Sequence, residues 1–282
     1  MMEQNQYWKY NFENKSLVSI KIPSANTDFN DIISRLPSGV FTTIRTKSKA
    51  RAFQISSHLT RLVESIILSG EEFHYSIEDL RPVLLEILKK QKGNEHRIRF
   101  HLPLNELSIC YIFVENFLPY SEENYTNGIC VKTNQLLRIN PKAKLSNFLK
   151  ESLEEKKHLA EIGIEESLIL DENQFILEGL SSNFFGIREN QIRTAEKNVL
   201  NGITRKIVII EAQKLGIKIK YEPVKFIELS ELDEAFITST SRKIMPVIQI
   251  DSFMVGNGKP GPITNQLINV FKKRFLQEFE TI

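Results

Sequence analysis

Between residues 167 and 195 the chain sets four short apolar runs almost end to end: SLILD, QFILE, SNFFGI and QIRTA. Glu172–Asn173, Gly179–Ser181 and Glu189–Asn190 separate them, residue types that favour turns, so the segment reads as a succession of strands with no room for a helix. One residue in it is out of keeping. Glu178 follows Phe175, Ile176 and Leu177, where a carboxylate is costly unless a cation meets it. A carboxylate at such a position usually needs a cationic partner.

The rest of the chain alternates. LVSIKI (17–22), GVFTTIRT (39–46), RIRFHL (97–102) and SICYIFVE (108–115) read as strands. From Ser57 to Leu68 the apolar positions 59, 62, 63, 66 and 67 fall on one helix face. Ser76 is placed to cap a second helix, with Glu78 and Asp79 in its first turn and Lys89 and Lys90 in its last. LPYSEENYTNG (118–128) is a polar break and the expected domain boundary. Beyond it the pattern predicts a strand at 129–133, a helix over about 147–162, and another from Gly202 to Leu215 stopped by Gly216. Strands near 217–221, 234–238 and 246–250 and a last helix from Ile263 complete the chain. At 282 residues it is near the upper limit for one core. The expected fold is α+β in two lobes: 1–118 as a small N-terminal lobe, 119–128 as an interdomain loop, and 129–282 as a larger lobe.

A formal net charge of +2 leaves no electrostatic footprint for nucleic acid or a membrane surface, and no apolar run approaches the roughly 18 residues of a bilayer span. Cys110 and Cys130 have no CxxC spacing, so neither a disulfide framework nor a metal site is expected. MMEQNQYWKYNF lacks the basic lead and apolar stretch of a signal peptide, which points to the cytoplasm.

Several residues could carry chemistry. LNGITRKIVII opens a helix with Gly202, Ile203 and Thr204 in its first turn, where unpaired N–H groups and a hydroxyl suit a phosphate. Taken alone, a plain turn-to-helix junction with Thr204 capping is the favoured reading. His58 and Arg61 share a helix face, although exposure is the default for both. TSTSRKIMPV (238–247) sets hydroxyl residues after a strand end. Lys144 in NPKAKLSNF would become a nucleophile only if burial lowered its pKa.

The order of these pieces is more specific than any one of them. GVFTTIRT, HLTRL, AKLSNFL, LEGLSSNFF, LNGITR, AFITSTSRKIMPV and GNGKPGPIT, spread over about residues 39–270, resemble the fold-type IV pyridoxal-phosphate-dependent aminotransferases: branched-chain aminotransferase, D-amino acid transaminase and aminodeoxychorismate lyase. The resemblance implies a small α/β lobe and a larger lobe with a β-barrel-like core, pyridoxal 5'-phosphate as cofactor, and a homodimer with the site between lobes. It implies Lys144 as catalytic Schiff-base lysine, and cofactor contacts at Arg61, Lys144, Glu178, Leu200, Ile203, Thr204, Ser239 and Thr240. Substrate contacts would fall at Thr43, Arg99, Thr240 and Ser241. Glu178 would pair with the protonated pyridine nitrogen, an attraction of roughly 4 kcal/mol at contact, so that the cofactor brings the missing counter-charge.

The chain departs from the family pattern at three places. Phe148 stands where many members have tyrosine, RLPSGVF replaces a glycine-rich lead into the strand, and Ser239 replaces a glycine. LPLNEL (102–107) lacks the arginine and histidine of D-amino acid transaminases, whereas Arg99 matches an arginine that branched-chain enzymes use for the glutamate side chain. The implied activity is amino transfer between an amino acid, L-glutamate or a branched-chain one, and a 2-oxo acid. The alternatives are aminodeoxychorismate lyase, whose FTT resembles this GVFTTIRT, a D-amino acid transaminase, and a non-catalytic relative.

Overall fold

The computed structural model describes residues 6–22, 29–136 and 138–282, and its contacts divide the chain into two units. The first holds Met1–Leu118, Ala143–Lys150 and Gln277–Ile282; the second holds Pro119–Lys142 and Glu151–Leu276. In chain order the first contributes β1 (Gln6–Asn11), β2 (Ser16–Lys21), α1 (Phe29–Arg35), β3 (Gly39–Ser48), β4 (Arg51–Phe53), α2 (Ile55–Leu68), α3 (Leu80–Lys90), β5 (His96–Pro103) and β6 (Ile109–Asn116). Then follow α4 (Glu122–Asn127), β7 (Ile129–Asn134), α5 (Ser146–Glu161), β8 (Glu166–Leu170), β9 (Phe175–Gly179), β10 (Asn183–Arg188), β11 (Gln191–Arg193) and α6 (Ile203–Lys214). The chain ends with β12 (Lys218–Lys220), β13 (Val224–Lys225), β14 (Glu234–Ser239), β15 (Lys243–Ile250), β16 (Phe253–Met254), α7 (Pro262–Gln277) and β17 (Phe279–Thr281).

In the first unit seven strands run in the order β17-β4-β3-β5-β6-β1-β2. α2 carries two stripes. Ile55, Leu59, Leu62 and Ile66, at i, i+4, i+7 and i+11, are buried in one core with Val40, Ile44, Ile98 and Phe100 of the sheet. Burying each such side chain stabilises by about 1.5–3 kcal/mol. His58, Arg61 and Ser65 form the second stripe, equally buried but polar. Two segments expected in the C-terminal lobe belong here instead. Leu145 bridges Val40, placing Lys144 at the side of β3, and β17 pairs with β4 through Phe279 and Phe53. Residues expected as an interdomain loop contain α4. Ser76 makes no capping hydrogen bond; a 3-10 turn at Ile77–Asp79 precedes α3.

His101 of β5 is buried, its Nε2 at 3.1 Å from the Pro37 carbonyl. Burial, reinforced by the charges of Lys150 and Arg99, pushes its pKa down to about 4. Unfolded chains therefore bind a proton that the folded chain refuses between about pH 6.5 and 4. Stability should fall as pH drops through that window, by about 2–3 kcal/mol from this group by pH 4.5. Urea unfolding at pH 7 and 4.5 checks it: His101→Gln should flatten the wild-type slope by that amount, and an unchanged slope would remove His101 as the cause.

In the second unit the strands follow β12-β11-β10-β14-β15-β7-β8-β9-β13, and an additional pairing joins β9 to β10. That pairing closes β10, β14, β15, β7, β8 and β9 into a six-stranded barrel-like sheet. Its apolar filling includes Val131, Leu168, Ile176, Phe184, Ile237, Met245 and Val247. The closure is made by one residue pair, Glu178 opposite Asn183. The anomalous carboxylate thus sits on the seam of the barrel.

Candidate active site

In the first unit, Lys144 is held by its backbone. Its N–H donates to Ser65 Oγ at 3.2 Å and its carbonyl accepts from the Phe41 N–H at 2.9 Å. Its side chain is half-buried, and the Nζ lies 4.7 Å from the centre of the Phe41 ring. The Arg99 guanidinium lies 5.6 Å from the same ring centre, so amine and guanidinium are no further apart than the sum of those distances. Arg99 donates to Asn30 Oδ1 at 2.9 Å and stands opposite Thr43 across the β3–β5 ladder. The polar stripe of α2 continues the constellation. Arg61 donates to Thr42 Oγ1 at 2.9 Å, and Thr42 Oγ1 lies 2.7 Å from His58 Nδ1.

In the second unit, three donors converge on buried Glu178: Arg138 Nη1 at 2.7 Å, the Leu200 N–H at 3.0 Å and Asn183 Nδ2 at 3.2 Å. A counter-charge for Glu178 is present within the chain as Arg138, itself mostly buried. Asn183 Nδ2 also donates to the Leu200 carbonyl at 2.8 Å, which fastens the seam to the residues leading into α6. Gly202 is required there by space: a Cβ would collide with Asn183 Oδ1. Arg138 and Glu178 share the wall of a cleft of about 720 Å³ with Leu177, Asn198 and the Asp171–Gln174 turn, a volume within the range of small-molecule sites.

α6 begins with Gly202 as N-cap and no side-chain cap, so Thr204 does not serve as one. Its Oγ1 is buried with no hydrogen-bond partner among the described residues, as is Thr238 Oγ1 at the end of β14. Thr238 is the cross-strand neighbour of Asn183. The Ser239–Arg242 turn follows, with Ser239 Oγ accepting from the Arg242 N–H at 3.1 Å. Arg242 reaches buried Glu166 at 3.0 Å, the Glu165 carbonyl at 3.0 Å and Ser181 Oγ at 2.9 Å. Glu166 in turn accepts from Ser181 Oγ and Ser182 Oγ. One ion pair thus ties the turn carrying Thr240 and Ser241 to the turn after β9.

Residues 39–250 match the amino-transferase class IV family model. This chain belongs to the class IV aminotransferases. A D-alanine aminotransferase from Staphylococcus haemolyticus is 30% identical over 253 residues, covering 83% of this chain and 87% of that protein. A Methanocaldococcus jannaschii protein named "Putative branched-chain-amino-acid aminotransferase" is 28% identical over 249 residues, covering 83% and 86%. Among solved structures, the Escherichia coli branched-chain amino acid aminotransferase superposes with a TM-score of 0.79 at 24% identity, over 99% of this chain and 97% of that one. At that identity it shows a shared fold.

Class IV aminotransferases depend on pyridoxal phosphate, and this member's residues fit such a group. Buried threonine hydroxyls at 204 and 238 lack partners among the described residues, a helix starts at Ile203 with uncapped amides, and a carboxylate is held rigid at 178. The expected residues fall into two sets. Thr43, Arg61, Arg99 and Lys144 lie in the first unit; Glu178, Leu200, Ile203, Thr204, Ser239, Thr240 and Ser241 lie in the second. Leu200 takes its place through its backbone, as a donor to Glu178. Sequence reasoning missed Arg138, Asn183, Thr42, Glu166 and Arg242. Asn183 and Arg242 lie within the motifs SSNFF and TSTSRK, yet nothing in residue type or spacing marks their partners.

Proposed function

We propose that this class IV aminotransferase is a homodimeric cytoplasmic enzyme that uses pyridoxal phosphate to move an amino group from L-glutamate, or from a branched-chain L-amino acid, to a 2-oxo acid. The observation that carries the donor assignment is the shared Phe41 ring. Its centre lies 5.6 Å from the Arg99 guanidinium and 4.7 Å from Lys144 Nζ, which supports Arg99 as the group that would take the side-chain carboxylate of a donor reacting at Lys144. Asn30 Oδ1 accepts a hydrogen bond from that guanidinium at 2.9 Å.

When bound, pyridoxal phosphate supplies an electron sink for the charge left on Cα as its proton departs. Every other task falls to the chain. Lys144 Nζ accepts the Cα proton and returns it elsewhere; fixing its backbone on Ser65 and Phe41 leaves only the side chain to move, which cuts the entropy of the proton transfer. Glu178, oriented by Arg138, Asn183 and Leu200, holds a proton on a ring nitrogen. Arg61 of the first unit, and the Ile203 amide, Thr204, Ser239 and Thr240 of the second, are the residues that would contribute to phosphate binding. The Thr240 and Ser241 amides face the α-carboxylate, and the Glu166–Arg242 pair holds their turn.

The test is a panel of donors with 2-oxo-acid acceptors. L-Glutamate should be consumed with release of 2-oxoglutarate. Preferential use of D-alanine would reverse the stereochemical assignment, and conversion of aminodeoxychorismate to pyruvate and 4-aminobenzoate would identify the lyase.

A further inference from the structure

We infer that His58 is a further anion-holding residue of the site: locked as its Nε2–H tautomer, it donates that proton to an oxygen of a phosphate monoester bound beside Arg61. The inference rests on the cofactor reading above and concerns a residue to which no role has been attached.

One proton decides the tautomer. The Thr42 hydroxyl accepts from Arg61 Nη2 at 2.9 Å, so its own hydrogen must point elsewhere. Among the described residues the acceptor in line is His58 Nδ1, at 2.7 Å. A second donor, Arg61 Nη2, reaches the same nitrogen at 3.4 Å. Two donors facing Nδ1 make it an acceptor, and a neutral imidazole then carries its proton on Nε2. Protonation of both nitrogens is opposed by burial first, and then by the positive charges of Arg61 and Lys144, all of which hold the pKa of His58 well below its ordinary value.

The consequence is an N–H donor in an unusual position. His58 is fully buried, and its Nε2 has no hydrogen-bond partner among the described residues. A buried donor left unsatisfied costs free energy, so the site is completed by something that brings an acceptor. That acceptor has to be compatible with two cations, because the groups around His58 are Arg61 and Lys144. An anionic oxygen satisfies both requirements. Thr42 is thus a positioning residue that fixes the tautomer, and His58 is a neutral donor adding direction to the charge of Arg61.

Asparagine and glutamine substitutions separate the two nitrogens. His58→Asn can keep an acceptor near Nδ1 while losing the distal donor; His58→Gln can place an amide N–H at the Nε2 position. Absorbance titration of the apo protein with pyridoxal phosphate should show binding roughly 10- to 100-fold weaker in H58N, with H58Q recovering most of that loss. Long-range proton–nitrogen spectra of histidine-labelled protein, with and without cofactor, should show His58 protonated at Nε2 only. Equal affinity in H58N and wild type, or a proton on Nδ1, would overturn the inference while leaving the proposed function standing. Failure of the wild-type protein to bind pyridoxal phosphate would overturn both.

Discussion

Lys144→Ala is expected to slow amino transfer by roughly 10⁴-fold, because one side chain supplies both the covalent anchor and the proton carrier at Cα. The fold should survive. The N–H and carbonyl of residue 144 bond to Ser65 and Phe41, and alanine retains both contacts. The side chain itself is only half-buried. Single-turnover kinetics with L-glutamate, alongside thermal unfolding, check both halves of the expectation. Borohydride treatment followed by mass analysis should attach the cofactor to wild-type protein at Lys144 and leave the variant unlabelled. A variant within tenfold of wild type would remove Lys144 from the chemistry.

Glu178→Gln should destabilise the protein by about 3–5 kcal/mol even without cofactor, the usual cost of breaking a buried ion pair from one side. Both partners are well buried, Glu178 at 2% side-chain exposure and Arg138 at 9%, so solvent screening is slight. The amide adds a second fault. Three donors, from Arg138, Leu200 and Asn183, point at the carboxylate, and a –NH₂ group there opposes N–H to N–H. Arg138→Met should cost a similar amount, and the double variant less than the sum, because each change removes the charge that the other strands. Urea unfolding of the four proteins provides the cycle. Full additivity would show that the pair has no coupling.

These two sites were not equally legible from sequence. Lys144, Glu178, Thr204 and Thr240 stand in ordered motifs, and the family model covers residues 39–250 where those motifs lie. Strand and helix periodicity placed α2, α5, α6 and α7 within a few residues. It did not show that the polar face of α2 is buried, because a stripe of His58, Arg61 and Ser65 looks like a solvated face until another segment covers it. Nor did it show α1, β4 or β17, which are too short to carry a period. The aromatic N-terminus, weighed only for its lack of a signal peptide, forms β1 with Trp8 and Tyr10 buried.

The apolar run around Glu178 pointed by itself to a cationic partner, since a buried carboxylate is costly unless it is paired or gives up its charge. Which cation was a tertiary decision. Arg138 lies forty residues upstream, and only the closing of β9 onto β10 brings its guanidinium, Asn183 and the Leu200 amide to one point. Local sequence can state a charge requirement because desolvation is a property of the residue itself; the partner is chosen by barrel closure, which no local window contains.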